Sequence, residues 1–433
     1  MAVWDPTHEC MDREQLARLQ LERLRDLVAR LRERVPFYRQ RLAEAGVEPG
    51  DIRSLDDLRR LPFTEKNDFR DNYPYGLFAV PLPEVVEVHS SSGTTGKPVV
   101  AGFTRRDLDT WAELVCRVAV AAGVRDDDVA QVSFGYGMFT GGFGLHYGLQ
   151  RAGATVLPLS AGNTARQVQF MQDFGTTVLV ATPSYALYLG EVIEKEGVPR
   201  ERLRLRLGLF GAEACSEQMR AQIESRLPLT ATDNYGLTEV MGPGVAGECE
   251  CRAGMHVNED HFLVECLDPA TGEPVPDGEV GELVFTSLTR ECSPVLRYRT
   301  RDLTTLDHGR CACGRTLVRM GKVVGRTDDM FIIRGVNVFP SAVEKVLFEI
   351  EGIEPHYQIV LDRVGSQDTF EVQVEVTEAI FNGWLDDLRA FERMVSERLR
   401  SALLVRPRVK LVEPGSLERT EGKARRVVDR RPK

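Results

Sequence analysis

Short apolar runs alternate with longer amphipathic stretches between residues 129 and 210, and this alternation constrains the fold more than any other feature. The apolar runs predict strands at 129–134, 155–158, 178–181 and 205–210. The stretches between them predict helices at 142–151, 164–174 and 185–196. Strands that alternate with helices in this way are joined by crossover connections and lie parallel. We therefore expect an α/β fold built on a parallel sheet.

The pattern on either side of this region is different. A broad leucine stripe predicts one long helix over 12–47, and a second helix is expected over 104–122 with Thr104 as its N-cap. Beyond about residue 240, short strands at 282–287, 295–299 and 303–306 predict a β-rich subdomain. The last hundred or so residues predict a small α+β unit. Its elements are a helix at 341–350, strands at 356–362 and 370–376, a helix at 381–403 and a strand at 408–412.

Composition narrows the class of protein. The 433 residues are 42% apolar and 28% charged, which is typical of a soluble globular protein with several domains. The net charge of −10 argues against nucleic-acid binding and against attachment to a membrane surface. We see neither an apolar run long enough to span a bilayer nor a secretory signal, so we expect a cytoplasmic protein. Nine cysteines then indicate free thiols, a metal site or both.

The strongest local motif follows a predicted strand near residue 88. It reads Ser90-Ser91-Ser92-Gly93-Thr94-Thr95-Gly96-Lys97-Pro98. Glycines let backbone N–H groups approach phosphate oxygens, hydroxyls donate hydrogen bonds, and the lysine adds a positive charge. The spacing differs from that of a Walker A loop. The segment therefore predicts a phosphate-binding loop of another kind.

This loop resembles that of the acyl-adenylate-forming enzymes, and its surroundings resemble one branch, the phenylacetate-CoA ligase family. The motifs that carry the resemblance occur in family order over nearly the whole chain. They are Leu61-Pro62-Phe63-Thr64-Glu65-Lys66, 71–81, Thr140-Gly141-Gly142, Gly162-Asn163-Thr164, 182–186, Gly211-Ala212-Glu213, Tyr235-Gly236-Leu237-Thr238-Glu239, Tyr298-Arg299-Thr300-Arg301-Asp302, 325–330, 334–340 and Glu421-Gly422-Lys423.

The resemblance implies a large N-terminal AMP-binding domain, 1–327, and a small mobile C-terminal domain, 328–433. It implies an aryl-acid:CoA ligase that uses ATP and Mg²⁺. A carboxylate would attack the α-phosphorus of ATP to form an acyl-adenylate and release pyrophosphate. The thiol of coenzyme A would then displace AMP to form the thioester.

The resemblance also implies residue roles. Lys423 would bridge the carboxylate and the α-phosphate, Lys97 would contact phosphates, and Glu239 would bind Mg²⁺. Tyr235 would stack on adenine, and Asp302 would hold the ribose hydroxyls. Arg326 and Asp328 would lie at the hinge, and Gly335 near the CoA entrance. The remaining nucleotide- or CoA-binding candidates are Ser90, Ser91, Ser92, Gly93, Thr94, Thr95, Gly96, Gly211, Ala212, Glu213, Asp233, Asn234, Gly236, Thr238 and Arg334.

The acyl pocket is expected in a glycine-rich stretch that does not fit the dinucleotide-binding pattern. Aromatic residues at Phe134, Tyr136 and Phe139 suit an aromatic acid, with Gly141 and Gly142 beside them. At Ala214 and Cys215 the chain departs from the Pro-Trp of the family. The pocket could therefore differ in shape, and both phenylacetate and an amino- or hydroxybenzoate stay open as substrates.

A second constellation is rich in cysteine. Cys249-Glu250-Cys251 precedes His256, and Cys311-Ala312-Cys313 follows later in the chain. Thiolates and imidazole suit a closed tetrahedral zinc site. The resemblance implies a structural Zn²⁺ held by Cys249, His256, Cys311 and Cys313. Cys251 departs from the family pattern, and it could be a reserve ligand or a free thiol.

Two alternative functions remain at this level. An adenylating enzyme could pass the acyl group to a carrier-protein thiol or an amine instead of CoA. A zinc-ribbon binding module could carry a degenerate nucleotide fold, although intact Lys97, Glu239, Asp302 and Lys423 argue against a dead enzyme. The expected partners are small molecules, namely an aromatic acid, ATP and CoA, and not nucleic acid or membrane. The oligomeric state stays open, with a homodimer among the options.

Overall fold

The structure is a computed structural model that describes residues 1–91, 97–333, 336–364, 367–420 and 423–431. The helices are α1 (Pro6–Glu9), α2 (Arg13–Arg34), α3 (Pro36–Glu44), α4 (Lys66–Asp71), α5 (Arg105–Ala122), α6 (Thr140–Arg151), α7 (Thr164–Asp173), α8 (Pro183–Lys195), α9 (Glu217–Arg226), α10 (Pro340–Phe348), α11 (Glu378–Phe381) and α12 (Leu385–Leu403). Short 3₁₀ turns occur at Pro49–Asp51, Leu55–Arg60, Leu82–Glu84 and Arg200–Arg202.

The strands complete the element order. They are β1 (Glu87–Ser90), β2 (Val100–Phe103), β3 (Val129–Val132), β4 (Thr155–Pro158), β5 (Val178–Ala181), β6 (Leu207–Gly211), β7 (Thr230–Leu237), β8 (Gly242–Glu248), β9 (Met255–Val257), β10 (Phe262–Leu267), β11 (Gly281–Ser287), β12 (Tyr298–Thr304), β13 (Leu306–Asp307), β14 (Arg319–Met320), β15 (Gly325–Arg326), β16 (Phe331–Ile333), β17 (Val336–Val338), β18 (Ile353–Val364), β19 (Gln367–Val376), β20 (Arg408–Val412) and β21 (Val427–Asp429).

A nine-stranded sheet with the order β13-β14-β9-β8-β7-β6-β5-β3-β4 forms the centre of the fold. The strands from β4 to β7 pair in parallel, so the predicted parallel sheet is confirmed. β8, β9, β14 and β13 extend it with antiparallel pairs. The strand patterns of β7 and β8 went unpredicted because polar residues, glycine and proline dominate them. Both strands are nevertheless mostly buried between other elements.

The helices follow their local signals. α5 begins after Thr104, whose side chain accepts a hydrogen bond from the Asp107 N–H, as predicted for an N-cap. The single helix expected over 12–47 is wrong, because the chain forms α2 and α3 with a break at Val35. Val35 precedes Pro36, and a residue before proline is disfavoured in the helical conformation.

The β-rich subdomain predicted after residue 240 contains an antiparallel sheet with the order β10-β11-β12-β15. The two strands expected at 295–299 and 303–306 are wrong, since β12 bridges the gap between them. Arg299 and Arg301 are charged residues inside this strand. They lie within the strand because the Glu282 carboxylate of β11, fully buried, pairs with both guanidinium groups.

The C-terminal part has its own sheet, β20-β19-β18-β21, and its own apolar core, packed with α10 and α12. The helix predicted over 381–403 is divided into α11 and α12. β21 was not predicted, because its few residues lie in a stretch rich in arginine. It pairs in parallel with β18, and so it anchors the chain just after Lys423. In the described part of the chain, no helix combines the length and apolarity needed to cross a bilayer.

Candidate active site

The loops after β6 and β7 lie at the carboxyl ends of parallel strands, the cleft region where ligands of α/β proteins bind. Gly211 ends β6, and a Cβ there would lie 2.5 Å from the Asn234 carbonyl oxygen. Ala212 has a φ of 70°, which is strained for a residue other than glycine. This turn directs the side chain of the next residue, Glu213, into the cleft region.

Glu213 connects three segments of the chain. Its Oε1 accepts hydrogen bonds from the N–H of Ser184, at 2.7 Å, and from the Ser184 hydroxyl in the first turn of α8. Its Oε2 accepts from the backbone N–H of Ala424, at 2.9 Å. The carboxylate therefore joins the large sheet to the C-terminal segment that carries Lys423. Ser184 was not among the predicted site residues.

Asp302 lies between two donors that the sequence had also singled out. Tyr235 Oη donates to Asp302 Oδ2 at 2.6 Å, and Arg326 Nη1 donates to Oδ1 at 2.6 Å. Burial raises the pKa of Asp302, although Arg326 and Tyr235 act to lower it. A carboxylate offers about four acceptor sites, so two hydroxyl donors of a ligand can still be accommodated. Arg326 also donates to Asp328 at 2.9 Å, which links this group to the start of the C-terminal part.

Lys423 reaches into the same cleft. Its ammonium nitrogen lies 5.7 Å from the centroid of the Phe139 ring, within the range of a cation–π contact. The Lys423 side chain is exposed to solvent, but nearby protein atoms partly desolvate its ammonium, and this lowers its pKa. Its other charged neighbours are Glu213, Arg326, Glu239 and Asp302. The structure therefore brings Lys423 between the aromatic residues and the carboxylates predicted to bind the nucleotide.

Glu239 is buried beneath this group. Burial and the neighbouring Glu239 carboxylate raise the pKa of Tyr298 well above its usual value. Thr238 Oγ1 lies 3.2 Å from Thr140 Oγ1, which ties this motif to the first turn of α6. Gly236 must be glycine here, because a Cβ would lie 1.6 Å from the Gly242 carbonyl oxygen.

Only the ends of the predicted phosphate loop are described. The Ser90 N–H donates to the Met138 carbonyl at 2.7 Å, and the Ser91 N–H donates to Val99 at 3.0 Å. Lys97 is exposed, with its ammonium 5.6 Å from the Tyr73 ring centroid. Predicted residues Ser92, Gly93, Thr94, Thr95 and Gly96 lie outside the described residues, as do Arg334 and Gly335.

The predicted acyl-pocket aromatics form two ring pairs in and against the same apolar core. The Phe134 and Phe139 rings lie 6.4 Å apart, and Tyr136 contacts Phe143 edge-on at 5.3 Å. The Tyr136 hydroxyl lies 3.0 Å from Nδ1 of His146, a polar contact the sequence had not indicated. A Cβ at Gly141 would lie 2.5 Å from the Phe139 ring, and one at Gly142 would lie 2.8 Å from the Gly135 carbonyl oxygen. These two glycines let α6 pack closely against these aromatic residues.

Three of the predicted site residues, Ala214, Cys215 and Asp233, have surroundings that differ from those of the other predicted site residues. Ala214 is exposed, and Cys215 is buried within the apolar cluster of α8 and α9. Asp233 is buried in an ionic group, and burial raises its pKa to about 7. Arg220 lies 3.4 Å and Lys322 3.7 Å from its carboxylate. Lys322 also donates to the Cys215 carbonyl at 2.7 Å, so it supports the Gly211–Cys215 turn from below.

The four predicted metal ligands converge. Ligand atoms of Cys249, His256, Cys311 and Cys313 all lie within 4.8 Å of one another and are buried. Cys249 Sγ is 3.8 Å from Cys311 Sγ, and Cys313 Sγ is 3.4 Å from Nε2 of His256. Tetrahedral zinc with bonds of about 2.0–2.3 Å needs separations of about 3.6–3.8 Å. The donor set and its spacing therefore fit such an ion.

The surroundings of this cluster come from distant parts of the chain. The Arg315 guanidinium is fully buried and donates to Glu9 of α1 at 2.5 Å. The partly exposed Cys251 lies beside the cluster, with its sulfur 3.4 Å from that of Met1. None of the nine cysteines, all within the described ranges, forms a disulfide.

Comparison with known proteins identifies the class to which this fold and cleft belong. The sequence profile of the AMP-binding enzyme family matches residues 70–289, and that of the AMP-binding enzyme C-terminal domain matches residues 335–431. The structure is similar to that of a 2-hydroxyisobutyryl-CoA ligase in the postadenylation state, with a TM-score of 0.92 and 31% identity over 99% of this chain and 92% of that one. The same ligase in the thioesterification state gives a TM-score of 0.74, at 32% identity and the same coverage.

Full-length relatives define the family more narrowly. A phenylacetate-coenzyme A ligase of Thermus thermophilus is 51% identical over 99% of this chain and its own whole length. Those of Pseudomonas putida and Escherichia coli are each 48% identical, over 99% and 96% of this chain and 97% and 95% of their own lengths. The chain belongs to the phenylacetate-coenzyme A ligase family of AMP-binding enzymes, and it is an AMP-forming acid–thiol ligase.

Proposed function

We propose that this ligase activates phenylacetate, or an aromatic acid close to it, with ATP and transfers the acyl group to coenzyme A. The position of Lys423 carries the proposal. Its ammonium lies beside the Phe139 ring and among Glu213, Glu239 and Asp302. A cation there would meet both the carboxylate of an aromatic acid and the α-phosphate of a bound nucleotide.

In the first half-reaction, a carboxylate oxygen attacks the α-phosphorus, and the bond to pyrophosphate breaks. Lys423 offsets the repulsion between the two anions and the negative charge that grows on phosphorus. Asp302, held by Tyr235 and Arg326, would accept hydrogen bonds from the ribose hydroxyls. Mg²⁺ would neutralise phosphate charge, and the buried Glu239 carboxylate is a suitable oxygen ligand for it.

In the second half-reaction, the thiol sulfur of coenzyme A attacks the acyl carbonyl. AMP leaves with the electron pair of the carbon–oxygen bond, and the thiol proton is lost. Lys423 occupies space beside the acyl group, so it would have to retreat before the thiol can enter. We assign this movement to a C-terminal domain of 328–433 that pivots near Asp328 on a domain of 1–327. The lower similarity to the thioesterification state of the 2-hydroxyisobutyryl-CoA ligase supports this assignment.

We also infer a structural zinc ion at the four-residue cluster. Four protein ligands would fill a tetrahedron and leave no position for substrate or water. The ion would join the loop after β8 to the 311–313 loop and stabilise both.

A panel of acids tests the substrate. Pyrophosphate release and thioester formation would be measured with phenylacetate, benzoate, amino- and hydroxybenzoates and medium-chain fatty acids, with and without CoA. The highest kcat/KM for phenylacetate is expected. An apolar pocket distinguishes one methylene by only about 1–3 kcal/mol, so benzoate should react more weakly. Preference for fatty acids would refute an aryl substrate, and pyrophosphate release without any CoA use would indicate another acceptor.

The Tyr136–His146 pair gives a specific reason to include substituted benzoates. A polar pair beside aromatic rings can bind a ring hydroxyl or amino group, and such contacts discriminate by about 10⁴ or more. If a hydroxy- or aminobenzoate exceeds phenylacetate by that factor, it replaces phenylacetate as the proposed substrate. Tyr136→Phe should then remove the preference.

A further inference from the structure

The C-terminal part of the chain rests on α8 and α9 of the large sheet. Phe348 of α10 packs against the apolar cluster of α8 and α9 and also against the C-terminal core. Around this contact, Arg226 at the end of α9 donates to Glu354 at 3.3 Å. The position of Lys423 therefore depends on a contact surface well away from the cleft itself.

Glu191 of α8 lies at the polar edge of this surface and faces three basic side chains. Its carboxylate bonds to Nε2 of His356 on β18, and it lies 3.2 Å from Nε of Arg419. Arg226, from its own side of the contact, is 3.4 Å away. Burial acts to raise the pKa of Glu191, but these partners outweigh it, and the pKa is lowered. The carboxylate is therefore held as an anion by two groups across the contact.

Arg419 joins Glu191 to the part of the chain that precedes Lys423. The fully buried Glu375 of β19 accepts hydrogen bonds from both terminal nitrogens of Arg419, each at 2.8 Å. The same carboxylate accepts from the backbone N–H groups of Gly415 and Leu417, at 2.9 and 2.8 Å. This network holds residues 415–419 against β19, close in the sequence to Lys423.

We infer that Glu191 is a positioning residue for adenylation. It holds the near end of the Lys423 segment through Arg419 and His356, while Glu213 holds the far end through the Ala424 N–H. The contact can open reversibly, since Glu191 retains Arg226 and Arg419 retains Glu375 when the two parts separate. Glu191 therefore stabilises only the arrangement that serves the first half-reaction. This inference rests on the proposed two-step function.

The test compares Glu191→Gln with Glu194→Gln, a change of the same kind at an exposed position of the same helix. Pyrophosphate release reports adenylation, and thioester formation from supplied acyl-adenylate reports the second step. Loss of charge-assisted bonds predicts about a tenfold lower kcat for adenylation in Glu191→Gln, with KM for ATP and the second step unchanged. Glu194→Gln should match the unmodified enzyme in both steps.

His356→Gln removes the same contact from the other side and should produce the same selective loss. In the double variant, the fold reduction in kcat for adenylation should be smaller than the product of the two single reductions, as expected for residues in contact. An equal fall in both half-reactions would reduce Glu191 to a structural role and overturn the inference. Full adenylation activity in Glu191→Gln would also overturn it.

A measurement without substrate separates this inference from the proposed function. Amide hydrogen exchange over 353–358 and 415–420 should be faster in Glu191→Gln than in Glu194→Gln, because the contact opens more often. Equal exchange in the two variants would overturn the inference even if the proposed acids react. Absence of pyrophosphate release from the unmodified enzyme with every aryl acid would instead overturn the proposed function, and exchange would still decide the role of Glu191.

Discussion

Two predicted site residues, Asp302 and Lys423, differ in how firmly the protein holds their side chains. Asp302 accepts from Tyr235 and Arg326 on its two oxygens, and it still has acceptor positions for a ligand. Lys423 has fewer direct protein contacts, since its ammonium faces an aromatic ring and several carboxylates at longer range. The first residue is thus held in place by the protein, while the second depends on where its segment lies.

Lys423→Ala should greatly lower the rate of adenylation and leave the rate of the second step unchanged. In the proposed role the cation would stabilise only the transition state at phosphorus, and loss of one such group costs about 10²–10³-fold in rate. Pyrophosphate release and thioester formation from supplied acyl-adenylate would be measured separately. Lys410→Ala, at an exposed position of β20, is the matched control. A folded Lys423→Ala protein that loses both steps equally would contradict this role.

The pH dependence of adenylation should also report on Lys423. Desolvation lowers its pKa, so the ammonium loses its proton, and the rate falls, at a pH below the ordinary range for lysine. A guanidinium stays charged throughout, so Lys423→Arg should be slower but should lack this alkaline decline. Rates of pyrophosphate release from neutral to alkaline pH would test this. An unchanged decline in the arginine variant would assign it to another group.

At the scale of the elements, the loops that follow the strands carry most of the predicted site residues. The turn after β6 places Glu213 against the first turn of α8, and the loop after β7 places Thr238 beside the first turn of α6. The loop after β8 and the loop at 311–313 bring together cysteines that lie far apart in the sequence. Contacts from other segments hold these loops, since Arg290 donates to the Val240 carbonyl and Lys322 to the Cys215 carbonyl.

Removal of the metal should destabilise this region. We expect about one Zn²⁺ per chain in protein purified without chelators. Cys311→Ser should lower the zinc content and reduce stability by more than about 4 kcal/mol, as expected when a structural metal is lost. Elemental analysis and thermal unfolding would measure both, with Cys10→Ser as the control. Zinc-free native protein of undiminished stability would contradict the assignment.

Cys251→Ser distinguishes the two roles left open for that thiol. Since Cys249, His256, Cys311 and Cys313 would already supply four tetrahedral ligands, the variant should retain its zinc and its stability. Loss of zinc from Cys251→Ser would make Cys251 a ligand in place of one of the four.

At the scale of the whole molecule, both parts of the chain contribute residues to the candidate active site. The C-terminal part contributes Lys423 and the Ala424 N–H, and the large sheet contributes the carboxylates that surround them. Among the described residues, the contact between them includes the apolar Phe348 and the ion pairs Arg226–Glu354 and Glu191–Arg419. A surface of this mixed character is typical of domains that move relative to each other.

We expect the whole molecule to change shape during the cycle. A stable acyl-adenylate analogue together with CoA should favour the second arrangement, because the thiol needs the space that Lys423 occupies. Small-angle X-ray scattering would compare the protein with the analogue alone and with the analogue plus CoA. A profile unchanged by CoA at saturation would contradict the movement.

Local patterns in the sequence determined much of this protein. The alternation from residue 129 to 210 predicted the parallel strands, and Thr104 predicted the start of α5, because periodicity and capping act between near neighbours. The ordered motifs predicted the enzyme family.

Tertiary structure alone decided the rest. β7, β8 and β21 have weak strand patterns and form because neighbouring strands supply their hydrogen bonds. Glu191, His356 and Arg419 look like ordinary surface residues in the sequence. Only the folded chain brings them together, since contacts between distant segments have no local pattern.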